Sequence, residues 1–407
     1  MKVQKSSQSL ISRVAIVLAA SAALQACGTV ARLDPVPANL VGRAVTPGIP
    51  NSRYWEDVDL SPLIQYIIDD DNGEREALSN AGLPTNPLPP AHLLAISGGG
   101  DSGAFAAGLL VGWTAHGDRP KFRVVTGISA GALIAPFAYL GSEYDSVLRS
   151  VATSIDHDGV FRPRGLLAGL SNDGMADSAP LAQLVANYVT PALLAAIAAE
   201  HRKGRALMIG TTDLDSGRAV AWNMGIIAAS PAPTALDLFR KVMLASASIP
   251  GAVSPVMIDV EAEGKRYQEM HVDGGVVTQV FTHPSNSLTK VEQVLGRPYR
   301  REIHVYAVRN GKMNPDWLAT PRRTINIGTR AISVLLQRQG ISDLERIYRT
   351  AERDHADFNL AYIDADFVRN EHEQFDPAYM RRLFDYAYQL SMNGYPWRKK
   401  PPLEADR

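Results

Sequence analysis

The sequence predicts an α/β protein: a mostly parallel central sheet flanked by helices, with a helical C-terminal extension. Two patterns carry that prediction. Twice, a short apolar run meets a glycine-bearing turn and then an apolar, small-residue segment of helical length, at Leu93–Trp113 and at Phe122–Leu140. A strand that feeds straight into a helix reaches its next neighbour by a crossover, which makes the two strands parallel. Helical patterning through most of 311–407 supplies the extension.

Bulk properties narrow the field. The 407 residues are 46% hydrophobic and 20% charged, and their formal net charge of −1 leaves no basic footprint for nucleic acid. A single cysteine excludes a disulfide framework and any cysteine-based zinc site.

Residues 1–26 read as a signal peptide. Lys2, Lys5 and Arg13 precede the apolar run Val14–Leu24 and the small residues Ala26, Cys27 and Gly28. Eleven residues rise about 16 Å as a helix, half a hydrocarbon core, and no later segment offers 18 consecutive apolar residues. Leu24-Gln25-Ala26-Cys27 resembles the lipobox of bacterial lipoproteins, and Cys27 is the chain's one cysteine. The resemblance implies cleavage before Cys27, acylation of its sulfur and anchoring to a cell-envelope membrane. Gly28, where an aspartate would retain the protein, resembles lipoproteins sorted to an outer membrane. An ordinary cleaved signal is the alternative.

Residues 27–90 are expected to form a lipidated tether and lead-in, rich in proline and glycine, with one helix around Pro62–Ile68. Asp69-Asp70-Asp71-Asn72-Gly73 has the outline of a calcium loop. Its glycine falls one place early and the twelfth position holds no glutamate, so the expectation is a solvated acidic turn.

The catalytic frame is expected within 91–310. The apolar strand Leu93–Ser97 ends in Gly98-Gly99-Gly100-Asp101-Ser102-Gly103, followed by the helix Ala104–Trp113. This satisfies a dinucleotide fingerprint, but the second strand, Phe122–Thr126, ends without the required carboxylate. It ends instead in Gly127-Ile128-Ser129-Ala130-Gly131, a G-x-S-x-G pattern leading into a helix. In such an elbow the flanking glycines remove Cβ clashes and the serine hydroxyl stands above the sheet. The three earlier glycines, on what should be the adjacent parallel strand, can turn their N–H groups toward an oxyanion. Tyr267–Val272 reads as a strand ending in Asp273-Gly274-Gly275, which places a carboxylate where α/β sheets build sites. A lone D-G-G is also an ordinary turn.

Glycine-rich turn, G-x-S-x-G and D-G-G, in that order, resemble the patatin-like phospholipase family. Ala245-Ser246-Ala247-Ser248-Ile249-Pro250 and Thr212-Asp213-Leu214-Asp215-Ser216-Gly217 are similar to two lesser blocks of that family. The resemblance spans roughly 91–309. It implies a lipid acyl hydrolase with a Ser-Asp dyad: Ser129 as nucleophile, Asp273 as general base, and an oxyanion hole drawn from Gly98, Gly99, Gly100 and Asp101. Gly103, Gly127, Gly131, Gly274 and Gly275 are the motif glycines. The chemistry requires no metal or organic cofactor, and its substrate partner is a membrane lipid. One departure stands out. Many members carry Arg or Lys two residues after the third glycine, where this chain has Ser102.

Two other readings compete. A Ser-His-Asp carboxylesterase would draw its histidine from His283, His304, His355 or His372, and His271 shares a strand face with Asp273. A non-catalytic envelope lipoprotein would keep the fold as a scaffold.

Elsewhere, Asp156–Met175 reads as a surface connection or flap, and Ala179–Glu200 as one long helix. Glu302–Val308 and Phe358–Ile363 are expected strands. In the extension, 311–407, helices are expected at Thr324–Gln339, Ser342–Asp354 and Pro377–Met392. Arg322, Arg323, Arg330 and Arg338 read either as facing anionic lipid or as part of a mixed solvated face. Oligomeric state leaves no mark in the sequence.

Overall fold

A computed structural model describes residues 32–154, 157–160, 162–163, 173–174, 176–315, 317–368 and 374–402. The signal and Cys27, most of Asp156–Met175, and His372 lie outside the described residues.

Apolar runs buried on both faces build the middle of one nine-stranded sheet. Its strands are β1 (Arg53–Trp55), β2 (Leu88–Ile96), β3 (Val124–Gly127), β4 (Ala206–Asp213), β5 (Arg218–Asn223), β6 (Val256–Ala262), β7 (Lys265–Asp273), β8 (Arg301–Arg309) and β9 (Asp357–Tyr362). The main order is β1-β5-β4-β3-β2-β8-β9. From β4 to β9 every neighbouring pair is parallel, as expected. The whole sheet is mixed, because β5 and β1 extend one end antiparallel and the β6–β7 hairpin joins antiparallel through β4.

That last junction positions the site. β3 has only four residues, and its Gly127 pairs with Ile209 of β4. Beyond this point β4 has an open edge, which β7 takes: Thr211 pairs with Asp273, Thr212 with Val272 and Asp213 with His271. Asp273 therefore arrives beside the turn that begins where β3 stops.

The helices of ten or more described residues are α1 (Ser61–Asn80), α2 (Ala104–His116), α3 (Ala130–Leu140), α4 (Asp145–Ser154), α5 (Ala179–Tyr188), α6 (Pro191–His201), α7 (Ala235–Ser246), α8 (Thr324–Arg353) and α9 (Pro377–Met392). On one face of the sheet, Leu94, Ile96, Val125 and Leu207 pack with Phe105 and Leu109 of α2, Ile134 of α3 and Phe384 of α9. On the other, Leu93, Val305 and Leu360 meet α8 through Ile341, Leu344 and Ile347, while Met208 and Ala206 meet α1. Every residue of α2 from Ala104 to Trp113 is buried, as befits a helix apolar on all sides. Gly108 and Gly112, one turn apart, let α9 approach closely. A Cβ at either would collide with the carbonyl of Phe384 or Tyr388.

Three elements depart from the sequence reading. The lead-in is not merely a tether: β1 closes one end of the sheet, and α1 runs straight through the acidic cluster. No solvated turn forms at Asp69–Gly73, because Arg123 pairs with Asp70, Asp71 and Glu74, and Arg301 pairs with Asp71 and Glu74. The single helix expected over Ala179–Glu200 is two helices bent by 61°. Thr190 caps the second by accepting the Leu193 N–H at 3.2 Å, and Pro191 occupies its first turn. Conversely, Thr324–Gln339 and Ser342–Asp354 merge into α8, since Gly340 is held against the Arg309 side chain and does not end the helix. The expected α9 and β9 form as read, and β9 joins the same sheet edge to edge with β8.

Candidate active site

Ser129 stands between β3 and α3 with φ 55° and ψ −123°. A serine with positive φ is strained, and strain of this kind gathers where a side chain must be aimed. The flanking glycines are sterically required. A Cβ on Gly127 would strike the Gly131 carbonyl, and one on Gly131 would strike the Ile96 carbonyl of the neighbouring strand. The backbone N–H of Ser129 donates to Ser246 Oγ at 3.0 Å, and Ser246 Oγ donates onward to the Gly210 carbonyl at 2.7 Å. One buried hydroxyl thus ties the elbow to β4.

Asp273 closes β7 and is 6% exposed. Its carboxyl group accepts the Gly275 N–H on Oδ1 at 2.8 Å, and the neighbouring Ser129 hydroxyl favours its charged form. Burial pushes its pKa up to about 6, against the Ser129 hydroxyl and the Gly275 N–H, which favour the charged form. Gly274 and Gly275 are again positions of close approach: a Cβ would fall 2.6 Å from the Gly210 carbonyl or 2.5 Å from Gln279 Nε2.

The glycine turn lies where the parallel register puts it, since Ile96 of β2 pairs with Gly127 of β3. The N–H groups of Gly99 and Gly100 have no acceptor among the described residues. Gly98 departs from the expected set, because its N–H is engaged by the Gln279 carbonyl at 3.1 Å. Its place in the site is steric, with room for a Cβ only 3.2 Å from Ser129 Cβ. Asp101 directs its side chain toward the C-terminal segment, accepting the Phe375 N–H at 3.3 Å. Gly103 lies close enough to Ala130 that a Cβ would stand 3.0 Å from Ala130 Cβ.

Two residues outside the motif reading hold this turn. Asn310 donates from Nδ2 to the Ser97 carbonyl at 2.8 Å and from its N–H to Ser97 Oγ at 2.9 Å, and its Oδ1 accepts the Ala106 N–H at 3.1 Å. It braces both sides of the glycines. Gln279 links Gly98 to the D-G-G turn by donating to the Gly275 carbonyl at 2.9 Å. Asn310 and Gln279 carry no local signature, whereas Ser246, which ties the elbow to β4, lies in a block already noted in the sequence.

Ser102, the departure from the family pattern, is buried with its hydroxyl 3.1 Å from the Tyr379 hydroxyl of α9. The C-terminal helix therefore covers the place where many relatives hold a cation.

No described histidine reaches the pair. His271 is fully buried, with Nδ1 bonded to Thr211 Oγ1 at 3.0 Å and Nε2 to Glu269 at 3.1 Å. Glu269 in turn pairs with Arg53, which holds its carboxyl near pKa 2 in spite of burial. His271 is thus a satisfied strand histidine. His283 lies against Pro284 and Asp354, His304 stacks on His92 beside Asp357, and His355 sits in a left-handed turn after α8.

An apolar cavity of about 70 Å³ opens beside Ser129 and Gly100, lined by Leu133, Ile134, Leu181, Leu184, Ile249 and Met380. A larger one, about 170 Å³, lies under α1 on the other face of the sheet and does not include Ser129. The arrangement at Ser129 can present an oxygen nucleophile, a buried carboxylate, two backbone donors and an apolar slot to one ester.

Residues 94–284 match the model of the patatin-like phospholipases. No curated protein sequence matches the chain. Among solved structures, VipD from Legionella pneumophila aligns at 12% identity and a TM-score of 0.36, over 74% of this chain. The chain spans 66% of that protein's length, just under two thirds. The stretch of the chain that is similar to the patatin-like phospholipases is thus 94–284, which holds the Ser129 elbow, the glycine turn and Asp273 within a central mixed sheet flanked by helices.

Proposed function

We propose that the protein cleaves fatty-acyl esters of phospholipids or other lipids by two-step acyl transfer on a Ser129–Asp273 dyad. The observation that carries this reading is the buried Asp273 carboxyl beside the buried Ser129, whose hydroxyl favours the charged form of that carboxyl. Ser129 Oγ attacks the ester carbonyl carbon as Asp273 accepts its proton. The carbonyl oxygen becomes an oxyanion facing the Gly99 and Gly100 N–H groups. Collapse expels the alcohol, which takes the proton from Asp273, and leaves an acyl-enzyme whose chain lies in the apolar cavity. Water, deprotonated by Asp273, then releases the fatty acid. A raised pKa suits this task, because a carboxylate near its ordinary 3.8 is a weak base toward serine. Ser102 under α9 supports an ester-directed site that makes no contact with a phosphate at that position.

Export and anchoring belong to the same reading: Cys27, acylated, would hold the enzyme at the cell envelope, at the outer membrane in preference to the inner. Mass spectrometry of the mature N-terminal peptide should then find a diacylglyceryl-modified Cys27, and an unmodified residue there would exclude the anchor.

Catalysis is tested by intact mass after incubation with a fluorophosphonate lipid analogue. Wild-type protein should gain one adduct, Ser129→Ala none, and Asp273→Asn should react far more slowly. Alanine at His283, His304, His355 or His372 should leave labelling intact. Loss at any one of these would move the reaction to a Ser-His-Asp triad, and an unlabelled wild type beside a labelled control esterase would reject the enzyme altogether.

A further inference from the structure

The first half of α8 is largely exposed among the described residues. From Trp317 to Leu335 almost every described residue is exposed, including Trp317 at 89%, Leu335 at 68%, Ile332 at 55% and Ile327 at 54%. The C-terminal half of the same helix is core, through Ile341, Leu344 and Ile347. Residues 324–339 project about 24 Å at the helical rise. Their pattern is ordered: Ile327, Ala331, Val334 and Leu335 recur at i, i+4, i+7 and i+8, and Asn326, Ser333 and Gln337 take the opposite side. Arg330 falls along one border of the apolar arc, and Arg323 stands at the N-terminal end of the helix. Between Trp317 and Ser342 the chain has four arginines, Arg322, Arg323, Arg330 and Arg338, and no acidic residue.

An apolar arc of this size, left bare, marks an interaction surface. Its basic border selects the occupant. We infer that the exposed half of α8, with Trp317 and Leu318, lies in the interface of an anionic lipid bilayer. There the apolar arc enters the acyl boundary, and Arg322 and Arg323 at its N-terminal end reach the phosphates.

The placement relative to the site supports this occupant. Arg309 donates to the Gln337 carbonyl at 3.2 Å and to the Lys312 carbonyl at 3.2 Å, locking the base of the projecting segment. Asn310, the next residue, braces the glycine turn. A helix seated on the bilayer through this root therefore holds the glycine-turn side of the active site near the lipid surface. The inference rests on the acyl-hydrolase reading and gives its substrate a form: lipid packed in an anionic membrane.

The test uses the full chain carrying Cys27→Ser, so that no acyl anchor contributes, and Ser129→Ala, so that no lipid is consumed. Sedimentation is measured with vesicles of phosphatidylcholine alone and of phosphatidylcholine with an equal amount of phosphatidylglycerol. Binding should be strong only on the anionic vesicles. Ile332→Asp and Leu335→Asp should each lower partitioning at least about tenfold. Arg322→Gln with Arg323→Gln should lower it by about twentyfold, on the anionic vesicles alone. Leu335→Trp should bind at least as well as the parent, a control that separates lost insertion from lost folding. Binding that ignores both aspartates, or no vesicle binding by the parent, overturns the proposal. So does a dimer in light scattering that Leu335→Asp dissociates without changing vesicle binding, since the arc then belongs to a second copy. Turnover of a short soluble ester by the Ser129-containing chain is measured alongside. It should survive Leu335→Asp, and its absence in the parent would indict the hydrolase reading itself.

Discussion

Asp273→Asn should inactivate the protein and stabilise it. In the folded state burial raises the Asp273 pKa from 3.8 to about 6, beyond what the Ser129 hydroxyl and the Gly275 N–H recover. A carboxyl whose folded pKa lies above its unfolded value contributes stability that is fully present below about pH 4. That contribution is lost as the pH rises through about 6. Two pKa units at about 1.4 kcal/mol each put the loss near 3 kcal/mol at pH 8. Asparagine removes the buried charge yet keeps an oxygen for the Gly275 N–H, so it should recover most of that amount. The assay is denaturant unfolding of both proteins from pH 4 to pH 8. Other carboxylates titrate in both and cancel in the difference, which should be small at pH 4 and grow to about 3 kcal/mol by pH 8. In parallel, ester hydrolysis by wild type should rise with pH through about 6, and Asp273→Asn should lose a factor of about 10²–10⁴. A variant equally or less stable at pH 8, or a wild-type rate already flat at pH 5, would refute the reasoning that a desolvated carboxylate serves as the base.

Ser246→Ala should lower stability by about 1–3 kcal/mol, since it strips partners from the buried Ser129 N–H and Gly210 carbonyl. Turnover should fall while KM holds, because the hydroxyl orients the nucleophile and touches no substrate; steady-state kinetics beside unfolding curves will check both. Gly131→Ala should misfold or lose activity outright, as its Cβ would meet the Ile96 carbonyl of β2. Soluble yield and fluorophosphonate labelling report it, and a stable, labelled Gly131→Ala protein would contradict the elbow geometry. Arg123→Met should cost about 3 kcal/mol or more by leaving Asp70, Asp71 and Glu74 short of a partner in a mostly buried site. Removal of the exposed Arg43–Glu263 pair should leave the unfolding midpoint unchanged.

What could be read from sequence was local and steric. Gly127, Gly131, Gly274 and Gly275 announce turns because only a residue without Cβ fits where two backbones meet, and the structure places carbonyls or side chains at each. The apolar run Leu93–Ser97 announced a buried strand, and the second strand read at Phe122–Thr126 forms over Val124–Gly127. Thr190-Pro191 also carried a legible helix start, which the alanine-rich composition around it masked.

Other features depend on partners far away in the chain. The acidic run in α1 looks solvated until Arg123 and Arg301 arrive to neutralise it, from positions 49 to 230 residues away. Asn310 is an unremarkable polar residue at the end of a strand until β8 lies beside β2 and carries it to the glycine turn. Gly98 belongs to the motif, yet its N–H is committed by Gln279, a contact set by how the D-G-G turn folds back. The meeting of Asp273 with Ser129 is itself of this kind. Short-range sterics made each residue recognisable, but only the early end of β3, which opens an edge of β4 to β7, brings a carboxylate and a hydroxyl 144 positions apart to face one another.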